Sequence, residues 1–247
     1  MGYEFNAEKV TKDLIVWVRK FYADFDLDKK AVLGISGGKD STVAAKILCE
    51  ALGKDRVVGV SIPNGTQSDM HDVAKVFELL GIKRYTVNIA DAYLNLTGQV
   101  ADQDLSLTSQ CYENLPPRLR MSTIYLVAQA VNGLVCCTGN LSESFVGWTS
   151  KWGDNVGDFA LFEKLTKTEV CEIGLHLGLP EDLVNKVPSD GLCGRSDEDK
   201  FGFSYDVLDT YIRTWECKDQ IAKMKIDYMH SISLHKRCIS MPTFSYN

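Results

Sequence analysis

Apolar residues recur every three or four positions through residues 7–25, at Val10, Leu14, Trp17, Val18, Phe21 and Phe25. That period puts them on one face of a helix. A short unbroken apolar run follows, Ala31-Val32-Leu33-Gly34-Ile35. It is too short for a helix and reads as a strand buried on both faces. A glycine-rich stretch comes next, and helical spacing resumes over 42–52. The alternation continues with a strand at 56–62, a helix at 68–80, a strand at 85–89, a helix at 119–131 and a strand at 134–138. Ser68 is the expected N-cap of its helix and Gly81 its stop. Residues 147–158 are rich in Gly, Asp and Asn and read as a loop. Helical spacing returns at 166–177, 204–215 and 218–234.

Continuous apolar strands alternating with helices predict an α/β fold. Its centre is a doubly wound parallel sheet covered on both faces, and C-terminal helices close it. The length of 247 residues suits one large domain spanning 1–247. No internal repeat or low-complexity tract divides it.

The net charge is -6, with 27 basic and 33 acidic residues, which argues against a general nucleic-acid binder. No apolar run approaches the length of a membrane span. The first thirteen residues show no apolar signal segment, so a cytoplasmic enzyme is expected. The eight cysteines form no CxxC pair, so no zinc knuckle or redox dithiol is predicted. They read as reduced, mostly buried thiols of a reducing compartment.

The run Ser36-Gly37-Gly38-Lys39-Asp40-Ser41 joins a predicted buried strand to a predicted helix. Two adjacent glycines let the backbone turn tightly and approach an anion closely. The first amides of the helix, at its positive dipole end, would face that anion. Ser36 and Ser41 add hydroxyl donors. The run is not a Walker loop, which needs a glycine where Leu33 stands and Ser or Thr where Asp40 stands. Nor does Gly34-Ile35-Ser36 keep the spacing of the dinucleotide fingerprint. Asp40 would repel phosphate unless a cation lay between them, so it implies Mg²⁺ carried with a nucleotide. The alternative is an ordinary strand–helix turn with a charged first residue.

This run resembles the signature of the N-type ATP pyrophosphatases, which cleave ATP between its α- and β-phosphates. The rest of the chain resembles one branch of them, the NAD synthetases. The resemblance is carried by Ile62-Pro63-Asn64-Gly65-Thr66-Gln67-Ser68-Asp69, and by Asn114 through Met121 with Pro117 in place of the usual alanine. Further matches are Thr138-Gly139-Asn140-Leu141-Ser142-Glu143, Lys151-Trp152-Gly153-Asp154 and Leu165 to Val170. Pro188-Ser189-Asp190-Gly191-Leu192, Ser196-Asp197-Glu198 and His235-Lys236-Arg237 complete the series.

The resemblance implies a Rossmann-like adenine nucleotide alpha hydrolase architecture. It also implies ATP-dependent amidation of deamido-NAD with ammonia, through an acyl adenylate, giving NAD, AMP and pyrophosphate. On this reading Ser36, Gly37, Gly38, Asp40, Ser41, Arg120, Thr138, Lys167 and Ser189 bind ATP. Asp40 and Glu143 hold Mg²⁺. Asn114, Arg118, Asp154, Asp158, His235 and Lys236 bind deamido-NAD. Asp40, Lys167 and Asp154 carry the catalysis, Asp154 by taking a proton from ammonium. Plainer readings stand beside these. Arg118 and Arg120 also fit a solvated helix face, Glu143 a helix N-terminal charge, Lys167 a surface position and His235 an exposed tail. Asp154 and Asp158 also fit turn formers.

The resemblance further implies a homodimer, with no nucleic acid or membrane as partner. The phosphate loop begins at residue 36, so free ammonia or a separate glutaminase subunit is the expected nitrogen source. The competing expectations are another amide ligase of the same ATP-pyrophosphatase group or a tRNA-modifying enzyme.

Overall fold

The computed structural model describes residues 3–25, 28–67, 69–185 and 196–237. The chain opens with α1 (Ala7–Phe25), and β1 (Lys30–Gly34) leads through the glycine-rich loop into α2 (Lys39–Leu52). Next come β2 (Val57–Ser61), α3 (Met70–Leu80), β3 (Lys83–Thr86), α4 (Ala90–Ala101), α5 (Ser109–Ala130) and β4 (Gly133–Cys137). The remaining elements are α6 (Leu141–Val146), β5 (Phe159–Ala160), α7 (Lys167–His176), α8 (Glu181–Val184), α9 (Asp197–Phe201), α10 (Tyr205–Thr214), α11 (Gln220–Ile232) and α12 (Leu234–Arg237).

The five strands are all parallel, in the order β3-β2-β1-β4-β5. Successive side chains of a strand point to opposite faces. Ala31, Leu33 and Ile35 therefore join one apolar cluster, with α1, α2, α3 and α7. Val32, Val58, Val60 and Val135 join the other, against Leu119, Ile124 and Tyr125 of α5. The sheet is doubly wound, as the unbroken apolar strands predict. A further apolar cluster, built on Phe145, Phe201, Tyr205, Leu208 and Ile226, gathers α6, α9, α10 and α11 at the C-terminal side.

The short elements α6, β5, α8 and α9 were not anticipated, and four others depart from the sequence reading. Helix α5 begins at Ser109, ten residues before the expected start, and carries Pro116 and Pro117 inside it. The prolines remove the bonds to the carbonyls of Tyr112 and Glu113, and both of those residues are exposed. Helix α4 was not anticipated, because it has no buried residue in the chain and leaves Leu94, Leu96 and Val100 exposed. Strand β3 starts at Lys83 rather than Tyr85 and is solvent-facing along its length, as suits an edge. Helix α3 starts at Met70 with Asp69 as its N-cap, and Ser68 lies outside the described residues. Among the described residues, no helix is long and apolar enough to cross a membrane.

Candidate functional site

In the observed strand order, the chain progresses outward through β2 and β3 on one side of β1 and through β4 and β5 on the other. Such a sheet opens a crevice beyond the carboxyl ends of the two central strands, where the winding reverses. The glycine-rich loop leaves β1 at that point. Residues 138–140 leave β4 beside it.

The loop is braced from within. Gly37 has φ 74°, in the left-handed region. A Cβ there would meet Asp72 Cβ at 2.9 Å and the Val73 amide nitrogen at 3.0 Å, so both conformation and space require glycine. Ser41 is buried. Its hydroxyl accepts from the Ser36 amide at 3.3 Å and donates to the Gly38 carbonyl at 3.1 Å. The Ser36 hydroxyl accepts from the Gly38 amide at 3.2 Å. Gly38 is the N-cap of α2, so the unpaired first amides of a 14-residue helix point out of the loop.

Asp40 stands in the first turn of α2 and Glu143 in the first turn of α6. Lys167, the first residue of α7, joins them. Its ammonium donates to Glu143 Oε1 at 2.6 Å and lies 3.4 Å from Asp40 Oδ2. Asn140 spans the same gap. Its amide donates to Asp40 Oδ1 at 3.1 Å, and its carbonyl oxygen accepts from the Glu143 amide at 3.0 Å, capping α6. Two carboxylates from separate strand ends are thus held on one lysine that is 4% exposed.

Burial alone would lower the Lys167 pKa, but Asp40 and Glu143 outweigh it and hold the pKa well above the ordinary lysine value. For Glu143, burial pushes the carboxyl up and Asp40 pushes the same way, while Lys167 opposes them. The net is a Glu143 carboxyl pushed up to about 7, with the Lys167 ammonium as its donor.

Helix α10 secures Lys167 from behind. The Tyr205 ring centroid lies 4.7 Å below the ammonium, and the phenol donates to Asp197 Oδ2 at 3.2 Å. Four residues along the same helix face, the Asp209 carboxylate accepts from the Thr168 amide at 2.9 Å and from the Ser142 hydroxyl. Ser142 in turn accepts from the Lys167 amide at 2.9 Å. One turn further, Arg213 clamps Glu169 with Nε at 2.7 Å from Oε1 and Nη2 at 2.5 Å from Oε2. Glu169 closes the capping box with Thr166 that starts α7.

A cavity of about 400 Å³ opens in front of this cluster. Ser36, Gly38, Asp40, Arg120, Thr138, Glu143, Asp154 and Lys167 all line it. Gly37 and Ser41 lie behind that lining and shape it. The Arg120 Nε donates to the Ile62 carbonyl at 3.1 Å. Burial lowers the Arg120 pKa, against the pull of Asp69 and Asp154. Burial raises the Asp154 carboxyl, although it accepts from the Ser150 amide at 2.6 Å.

Other expected site residues stand outside the cavity lining. Asn114 Oδ1 accepts from the Ser150 hydroxyl at 2.7 Å, and Arg118 Nε donates to the Lys151 carbonyl at 3.1 Å. Lys236 donates to the carbonyls of Gly147 and Thr149 at 2.8 and 2.9 Å. These three fasten the 147–154 segment that carries Asp154. The Asp158 carboxylate is taken by the Val135 amide at 2.7 Å, where it extends the pairing of β4. His235 is exposed on α12. Ser189 lies outside the described residues. Sequence reasoning gave no role to Asn140, Asp197 or Tyr205. Asn140 and Asp197 sat inside quoted matches, and Tyr205 carries no signal that separates it from a core aromatic.

The donor set fits Mg²⁺. Asp40 and Glu143 line one cavity and meet on one lysine, and among the described residues no group of three or more His, Cys, Asp and Glu is placed to hold a metal ion. Mg²⁺ is held in this manner, by one or two carboxylates with water and substrate phosphates supplying the rest.

The family model for NAD synthase matches residues 10–241. The NH(3)-dependent NAD(+) synthetase of Pyrococcus furiosus is 35% identical over 87% of this chain and 80% of its own length. Among solved structures, NMN synthetase from Francisella tularensis superposes with a TM-score of 0.87 at 30% identity, covering 98% of this chain and 100% of that one. The NH3-dependent NAD synthetase of Campylobacter jejuni superposes at 0.78 with 22% identity, covering 98% and 100%, and shares the fold.

Proposed function

The chain belongs to the NAD synthase family, and from that premise we propose that it amidates deamido-NAD with ammonia at the expense of ATP. The observation that carries this reading is the Asp40–Lys167–Glu143 cluster beside a helix N-terminus, facing one cavity.

A carboxylate is a poor acyl donor, because it is already an anion. Attack of its oxygen on the α-phosphorus of ATP releases pyrophosphate and leaves an acyl adenylate. Ammonia then attacks the acyl carbon, and AMP departs with the C–O bonding pair. Negative charge grows on oxygen in both steps. Preorganised donors aimed at that charge stabilise it without reorganising. The loop of Ser36, Gly37, Gly38 and Ser41 holds the pyrophosphate end, with the α2 amides as donors. Lys167 neutralises phosphoryl oxygen, and Arg120, Thr138 and Ser189 complete the ATP contacts. Asp40 and Glu143 would hold Mg²⁺, which would screen phosphate charge. Asp154, with its raised pKa, takes the proton that ammonium must lose.

Asn114, Arg118, Lys236, His235 and Asp158 are assigned to the deamido-NAD side. The tethering of the first three to the 147–154 segment supports an indirect contribution through Asp154. The exposed apolar residues of α4 and α5, Leu94, Leu96, Tyr112 and Leu126 among them, support a homodimer. The described cysteines are all free, which suits a cytoplasmic enzyme.

The likeness to NMN synthetase favours a second substrate, the nicotinate mononucleotide in place of the dinucleotide. One assay decides. The protein is given ATP, Mg²⁺ and ammonium with either acid, and AMP and the amide are quantified. NAD and AMP are expected together, only when deamido-NAD is present. Faster amidation of the mononucleotide would move the assignment to the second substrate. No AMP with either acid would reject the ligase reading.

A further inference from the structure

The carboxylate oxygens that suit a divalent cation are the ones Lys167 already holds. Its ammonium lies 2.6 Å from Glu143 Oε1 and 3.4 Å from Asp40 Oδ2. A metal ion at about 2.0–2.1 Å from those oxygens would stand beside the ammonium, and the repulsion between the two cations makes them compete for the same carboxylates. Lys167 can leave without disturbing the fold. Its amide is pinned to Ser142, and the next amide to Asp209, so the backbone stays fixed. The four-carbon arm alone has to swing. The Tyr205 ring, anchored by Asp197, lies 4.7 Å from the ammonium in its paired position and is not itself a metal ligand.

Resting on the assignment of Asp40 and Glu143 as cation ligands, we propose that Lys167 is a built-in counter-ion that bars a divalent cation until nucleotide phosphates draw the ammonium away. Taking two half-buried carboxylates partly out of water is costly unless a cation answers them. Lys167 answers them first and then transfers to phosphate as the metal takes its place. Metal and nucleotide therefore bind cooperatively, and Lys167 is the source of the coupling.

The test is equilibrium binding of Mn²⁺ to the full chain, read by electron paramagnetic resonance, with and without α,β-methylene-ATP. Wild type should bind Mn²⁺ weakly alone and at least about tenfold more tightly with the analogue, within the usual range of coupling between sites. Lys167→Met should bind Mn²⁺ alone at least about tenfold more tightly than wild type, and gain little from the analogue. Asp40→Asn should abolish the tight binding in both backgrounds. The proposal is overturned if folded Lys167→Met binds Mn²⁺ no better than wild type, or if the analogue leaves wild-type Mn²⁺ affinity unchanged. It is also overturned if Asp40→Asn leaves tight binding intact. Should Lys167→Met fail to fold, Lys167→Gln takes its place, and the wild-type measurement decides without either. Metal–nucleotide coupling without amide from either acid would remove the ligase reading and leave the counter-ion standing.

Discussion

A lysine 4% exposed stays charged only where anions repay its lost hydration, and Lys167 has two. Its removal therefore acts twice. Lys167→Ala should weaken adenylation by about 2–4 kcal/mol, the range for losing a donor to developing charge. It should also lower stability by about 3–5 kcal/mol, since Asp40 and Glu143 are left facing each other uncompensated. Single-turnover kinetics and urea denaturation separate the two effects. A variant as active as wild type would remove Lys167 from the chemistry. Asp40→Asn keeps the shape and the Asn140 contact. It should lose about 10²–10³ in kcat while its Tm stays close to wild type. An Asp40→Asn enzyme with wild-type turnover would reject the metal-ligand assignment.

Helix α10 acts as a ruler for α7. Tyr205, Asp209 and Arg213 recur at a spacing of four, which sets them on one face. In order they meet the Lys167 head, the Ser142–Thr168 junction and the Glu169 cap. Burial would raise the Glu169 carboxyl, but bonds from Arg213, Tyr3 and the Thr166 amide outweigh it and the pKa falls below the ordinary value. A carboxyl lowered on folding contributes stability above its unfolded pKa, near 4.3, and that stability is lost as pH falls through the folded value. Arg213→Ala should therefore cost about 1.5–3 kcal/mol at pH 7. Its Tm deficit should narrow once the pH drops below about 4. Thermal melts of both proteins at neutral and acid pH check the sign. A deficit that stays constant would mean that Arg213 acts through packing rather than through its ion pair.

For the whole molecule, the winding of the sheet gathers parts that lie 100 residues and more apart in the chain. Asp40 and Glu143 come from the ends of neighbouring strands, β1 and β4, and α7 returns Lys167 to the gap between them. Helices α4 and α5 leave Leu94 at 64% and Leu126 at 69% exposure, apolar side chains that the proposed second copy would cover. Light scattering should give twice the chain mass. Leu94→Asp with Leu126→Asp should return the monomer, with the secondary structure kept. A double variant that stays dimeric would move the interface elsewhere.

The alternation of β1 to β4 with α1, α2, α3 and the later half of α5, and the phosphate loop, could be read directly from the residues. Both are local properties. Unbroken apolar runs need cover on two faces, and two glycines before a helix need no distant partner to make an anion-binding turn. The parts the sequence hid are those whose meaning comes from a neighbour far along the chain. Asn140 is an ordinary cap until Asp40 stands beside it, and Tyr205 is a core aromatic until a lysine lies over its ring. The expected helix start at residue 119 missed the first ten residues of α5, where the fold exposes Tyr112 and Glu113, whose helix bonds Pro116 and Pro117 remove, and the helix runs through. Arg118 and Lys236 read as substrate cations, and the fold adds backbone carbonyl partners in the 147–151 segment that no local pattern shows. Burial and distance decide such cases, and only the folded chain has either.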